Sequence, residues 1–277
     1  AVKEGKVTFK KGKHILNENI IIPRGVEVVF EAGSELVLNK GHFFLSYSKV
    51  TMEGTEQQPI KITSTDGTAN GFTVLQAESK SILSHVVFDG LKTLNYDSWQ
   101  LTGAVTFYES DVDISNCIFT NNNCEDGLNI IRSKFLLKDS EISNTFSDGF
   151  DADFCNGKIL STTLKNTGND CIDFSGSTVL IKNCEINTSG DKGISCGEQS
   201  TVEIENVKID GAVLGIASKD KSEVTINNIT LKNCQIGFSA FQKKPEYGPA
   251  TIKVNQHKLE NVVLLKKVEE GSVLVFE

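Results

Sequence analysis

The 277-residue chain contains no apolar run near the roughly 18 residues that a membrane-spanning helix requires. Ala1 begins a polar stretch without a signal-peptide pattern, so membrane insertion is not expected. Positive charge is in deficit: 28 Lys and Arg stand against 36 Asp and Glu, a net charge of -8. That balance argues against a nucleic-acid partner, because phosphate binding needs clustered cations. The seven cysteines are odd in number and include no CxxC pair, which speaks against a disulfide framework or a zinc knuckle. They read as small core residues. Helical periodicity is missing as well.

What is present is a repeat. Ala104, Gly127, Gly149, Cys171, Gly193, Gly215 and Gly237 form a column spaced by 23 and then by 22 residues. Each is followed by an alternation of period two, as in LNI, FDA, IDF, ISC, IAS and FSA, the mark of a strand with one face in a core. A second strand set follows in FLLKDSEIS, VLIKNCEIN, VEIENVKID and VTINNITLK. Asn116, Asp139, Thr162, Asn183, Asn206 and Asn228 mark a polar turn column suited to left-handed backbone and to side-chain ladders. A unit this short cannot bury its apolar face alone and must stack on its neighbours. The expected fold is all-β: a single-domain parallel solenoid of about 22 residues per coil, its core lined by Leu128, Phe150, Ile172, Ile194, Ile216 and Phe238.

With these columns, and with IIIPRGVEVVFEAGSELVL and VTMEGTEQQPIKITS as opening coils, the chain resembles the right-handed parallel β-helix superfamily of pectate lyases and polygalacturonases. From Gly103 onward, NIIRS, GNDCID, GDKGIS and FQKKPEYGPATI are also similar to β-helix modules that accompany spore-coat CotH-like kinase domains. The expected organisation is residues 1–70 as cap and opening coils, 71–238 as regular coils with an insertion at 91–102, and 239–277 as a C-terminal loop and cap.

The register stacks carboxylates. Asp126, Asp148, Asp170 and Lys192 precede the column position; Asn129, Asp151, Asp173 and Ser195 lie two residues after it, and Asp153 lies four after. Neighbouring strands sit about 4.8 Å apart, so like charges there repel unless something compensates. On one reading Asp126, Asp148 and Asp170 cap turns while Asp151 and Asp173 are solvated. On a second, Asp148, Asp151, Asp170 and Asp173 supply oxygens to Ca²⁺. In the resembling pectate lyases such a calcium acidifies the proton beside a uronate carboxylate and a Lys or Arg removes it. Lys192 is the nearest such base here, provided its pKa is lowered, with Lys219 and Arg132 more distant.

The third reading is glycoside hydrolysis by paired carboxylates. The polygalacturonase segments NTDG and GDDC match TFSDG and GNDCID in part, carrying over Asp148 and Asp170. Asn169 replaces one aspartate, and GDKGIS lacks that family's histidine. The chain's His14, His42, His85 and His257 lie outside these coils.

The insertion LKTLNYDSWQLT offers Tyr96 and Trp99 for stacking on sugar rings, and Phe241 opens a second irregular stretch, SAFQKKPEYGPA. The functional expectation is a carbohydrate-active protein, extracellular or periplasmic, that binds an acidic polysaccharide or cell-surface glycan. Elimination with Lys192 as base is preferred to hydrolysis, and a non-catalytic binding module, with a neighbouring domain in a longer chain, is the alternative. No organic cofactor is expected.

Overall fold

The computed structural model describes residues 2, 3 and 5–277, the side chains of residues 2, 3 and 99 excepted. Each coil contributes a short strand to each of three faces. Face A includes Gly103–Tyr108, Asp126–Ile131, Asp148–Asp153, Ile172–Ser175 and Lys192–Gly197. Face B is a 13-stranded sheet containing Val112–Ser115, Lys134–Lys138, Asn156–Leu160, Thr178–Lys182 and Thr201–Glu205. Face C includes Ile118–Thr120, Glu141–Thr145, Thr163–Thr167 and Glu185–Ser189. Successive coils pair in parallel on all three faces, and no helix occurs among the described residues.

The expected register is the observed one. Leu128 pairs with Phe150, Phe150 with Ile172, Ile172 with Ile194, Ile194 with Ile216 and Ile216 with Phe238. All are fully buried, and Phe44 and Phe72 stack at 4.5 Å further up the same axis. The seven cysteines are buried free thiols, with those of Cys117, Cys124 and Cys155 pushed up to about 12 chiefly by burial.

The glycine column has a steric cause. A β-carbon on Gly193 would lie 2.7 Å from the carbonyl oxygen of Gly215 and 2.8 Å from the Ile209 side chain. Gly193→Val should therefore force the next coil to move. The expected loss is about 1–3 kcal/mol in urea denaturation, the usual cost of overpacking; an unchanged midpoint would reject that account.

The turns use left-handed residues at Asn116, Asp139, Ser161, Asn183 and Asn206, so Ser161 rather than Thr162 holds that position in its coil. The expected ladder forms where Asn228 donates to Asn206 and Asn206 to Asn183, at 3.0 and 3.3 Å. A second ladder, unforeseen, links Asn166 to Asn144 and Asn144 to Asn121. Its signal was present as a recurrence of Asn at spacings of 23 and 22 residues.

Val273–Phe276 pairs in parallel with Thr251–Val254, adding a further strand to face B. Val263, Leu264, Val273 and Val275 stay exposed at that end.

Candidate functional site

Face A carries the aspartates, and its outward columns are those read from the repeat. Asn129 pairs with Asp151, Asp151 with Asp173 and Asp173 with Ser195; Asp126 pairs with Asp148. The outward column is nonetheless largely covered: Thr73, Thr106, Asn129 and Ser195 are all buried. Face A is thus a trough with a floor of small polar side chains, and Asp151, Asp153 and Asp173 are half-buried along it.

Asp126, Asp148 and Asp170 lie outside the core, yet all three are buried. Two of them do what the turn-cap reading required. Asp148 Oδ1 accepts the Asp170 backbone N–H at 2.9 Å and the Asn169 amide at 2.6 Å, and Asp170 Oδ1 accepts the Lys192 backbone N–H at 3.0 Å. Asp148 and Asp170 thereby each tie themselves to the next coil.

Capping leaves oxygens over. Asp148, Asp170 and Asp173 each bring one oxygen within 4.8 Å of the others, a set that could hold a metal ion. Asp151 is not part of that set. The donors are hard oxygens of the kind Ca²⁺ takes, but two lysines already lean on them. Lys192 Nζ lies 3.2 Å from Asp170 and 2.5 Å from Asp191. Lys219 reaches back across two coils to place Nζ 3.5 Å from Asp173 Oδ1, which accepts no hydrogen bond. It can do so because Gly197 leaves room: a β-carbon there would sit 3.0 Å from Lys219 Cε.

The electrostatics follow from burial. Burial, with the neighbouring carboxylates adding to it, pushes the Asp170 carboxyl up to about 6 despite the Lys192 charge. Burial likewise raises Asp148, Asp151 and Asp153, and takes Asp126 to about 7. For Lys192, burial acts to lower the pKa, but the hydrogen bonds and charges of Asp191 and Asp170 outweigh it and hold the group above the usual lysine value. These partners favour the charged form of Lys192, which suits a cation or an acid better than a base.

Other expected contacts are placed elsewhere. Arg132 bonds Tyr108 and lies 3.6 Å from Glu109, turned away from the aspartates. Tyr96 is not a free platform: the insertion folds as a hairpin, and its ring packs 5.0 Å from Phe43 in a small apolar cluster with Leu45 and Leu94. Trp99 contributes backbone to that hairpin, while its side chain lies outside the described residues. Phe241 lines an open cleft of about 390 Å³ with Leu214, Ile236 and Lys267, at the far end of face A.

Sequence reasoning missed two aromatics. Phe146 and Phe154, on either side of strand Asp148–Asp153, are both exposed, and the Arg132 guanidinium sits 5.9 Å over Phe154. Phe146 also edges a cleft of about 670 Å³ lined by Gln100, Thr102 and Glu125. Their only sequence signal was an apolar residue in an otherwise polar turn.

Comparison with known proteins decides the family. The chain matches the right-handed β-helix region over residues 48–194 and again over 132–263. It belongs to the right-handed β-helix family. Among solved structures, this β-helix is similar to the periplasmic alginate epimerase AlgG, with a TM-score of 0.68 and 11% identity over 96% of this chain and 78% of that one. An alginate lyase from a Paenibacillus species aligns at a TM-score of 0.47 and 15% identity, covering 86% and 93% of the two chains. A pectate lyase aligns at 0.46 and 12%, covering 91% and 70%. At such identities the likeness is one of fold. No curated protein sequence matches this chain significantly. The kinase-associated modules do not figure in these matches.

Proposed function

We propose that this β-helix is a carbohydrate-active protein that holds an acidic polysaccharide in the face A trough and cleaves it by elimination. The observation that carries this reading is that a carboxylate and an ammonium both reach the trough beside the carboxylate cluster. Asp173 exposes 23% of its side chain and Lys192 exposes 17%, whereas Asp170 exposes 3%. A base and an acid are thus accessible where Asp148 and Asp170 are not, and their burial disfavours hydrolysis by that pair.

In this mechanism the Lys192 ammonium neutralises the uronate carboxylate, which acidifies the adjacent C–H. Asp173 takes that proton, the electron pair forms the C=C bond, the glycosidic C–O bond breaks, and Lys192 protonates the departing oxygen. Asp170 acts as a positioning residue by holding the Lys192 backbone and side chain. Lys219 fixes the Asp173 carboxylate from behind. A Ca²⁺ held by Asp148 and Asp170, with Asp173 left free to take the proton, would add to the neutralisation of the sugar's charge. Phe146 and Phe154 offer flat apolar faces for the flanking sugar rings. The alginate epimerase that shares the fold fits this substrate class. Such a polysaccharide is met outside the cytoplasm, which supports an extracellular or periplasmic location.

The test is incubation with a panel of uronate polymers, with and without Ca²⁺, reading unsaturated-product absorbance and reducing ends together. Wild type should raise both. Lys192→Ala and Asp173→Asn should each lose roughly 10²-fold or more, the usual worth of a positioned acid or base. Reducing ends without the unsaturated chromophore would replace elimination by hydrolysis. Binding without either product would leave a glycan-binding module, and neither binding nor product would end the carbohydrate reading.

A further inference from the structure

The ion pairs of face A are unevenly distributed. Toward the C-terminal end Asp170 has Lys192, Asp173 has Lys219 and Glu198 has Lys244. Toward the N-terminal end, among the described residues, Asp126 and Asp151 are paired with no lysine or arginine. Asp126 is 1% exposed and its Oδ2 has no partner, and Asp151 Oδ1 is likewise buried without one. Between them stands Asn129, 1% exposed, with neither its amide nitrogen nor its carbonyl oxygen bonded. Asn129 pairs with Asp151 in the strand register and follows Asp126 by three residues on one strand, so the three stand on two neighbouring strands of face A.

Buried polar groups are ordinarily satisfied, and buried charges are paired or bind metal. A sugar cannot reach Asp126 and Asn129, closed as they are, whereas a small ion stripped of part of its water can. We propose that Asp126, Asn129 and Asp151 form a second cation site, one coil before the Asp148, Asp170 and Asp173 cluster, that takes Ca²⁺. Two carboxylates and an amide carbonyl are hard oxygen donors of the kind this ion prefers, and Asp126 is the residue that the turn-cap reading would have dismissed. Unlike the neighbouring cluster, this site requires no lysine to be displaced. It stands independently of the glycan reading, since it needs no sugar.

Calorimetric titration of the chelator-treated protein with CaCl₂ alone tests the site. Wild type should show saturable uptake that Asp170→Asn retains, while Asp126→Asn and Asn129→Leu each weaken it at least tenfold. In chelator, Asp126→Asn should melt no lower than wild type, because it removes an uncompensated buried charge without removing an ion. No saturable uptake by wild type at millimolar Ca²⁺ would overturn the proposal. So would uptake lost in Asp170→Asn and kept in Asp126→Asn.

Discussion

Raising the pH from about 4 to about 8 in the presence of a chelator should remove on the order of 3–6 kcal/mol of folding stability. The cause is the carboxyl groups on the trough floor. Asp126 is shifted to about 7 and Asp170 to about 6 from an ordinary 3.8, in both cases mainly by burial. Between the unfolded and folded values, the folded protein keeps protons that the unfolded chain has released. Stability held by those protons is complete below about pH 4 and is lost as the pH rises through about 6 and then 7.

Each shift by itself corresponds to roughly 3–4 kcal/mol, and the two do not simply add because the carboxylates feel one another. Asp148, Asp151 and Asp153 are raised as well and push in the same direction. Glu198 and Asp66 are held low by hydrogen-bond partners, and so matter only below about pH 4.5. Urea unfolding at several pH values checks this. Adding millimolar Ca²⁺ should flatten the curve, since an ion bound only to the native state stabilises it by mass action. A chelated protein whose stability is flat or rises over that range would mean that these carboxyls are not desolvated as their positions imply.

Phe150→Ala should cost about 3–5 kcal/mol, a large share of the roughly 5–15 kcal/mol that holds a typical domain together. Phe150 is fully buried and meets Phe135 edge-on at 5.4 Å and Phe174 at 6.2 Å, so removing its ring leaves a cavity that two neighbouring coils line. In a stack where strand pairing joins each coil only to its neighbours, the damage falls mainly on that coil and the two beside it. Those coils carry Asp148, Asp151, Asp170 and Asp173, so Ca²⁺ uptake should weaken along with stability. A loss below about 1 kcal/mol would show that the site collapses around the missing ring.

Particular residues show how far the sequence could be read. The column glycines and the inward Phe150 and Ile172 were placed by alternation alone, since a strand in a stack has only two sides. Asp151 and Asp173 were placed beside each other by the same rule, and they pair. Alternation gives the side of a strand but not its depth. Asp126, Asp148 and Asp170 lie outside the core yet are buried, because face A is a trough whose neighbouring side chains close over them. Lys192 met its partners through the register, while Lys219 crosses two coils through the gap at Gly197, a path that no column predicts.

The repeat of about 22 residues therefore determined the fold, the register and the gathering of carboxylates on one face, because parallel stacking copies each position onto the next. Only the tertiary structure decided which carboxyls are desolvated, which lysines neutralise them and which are left without a counter-charge. Those outcomes depend on how neighbouring side chains cover one another and on long side chains reaching between coils, and spacing along the chain encodes neither.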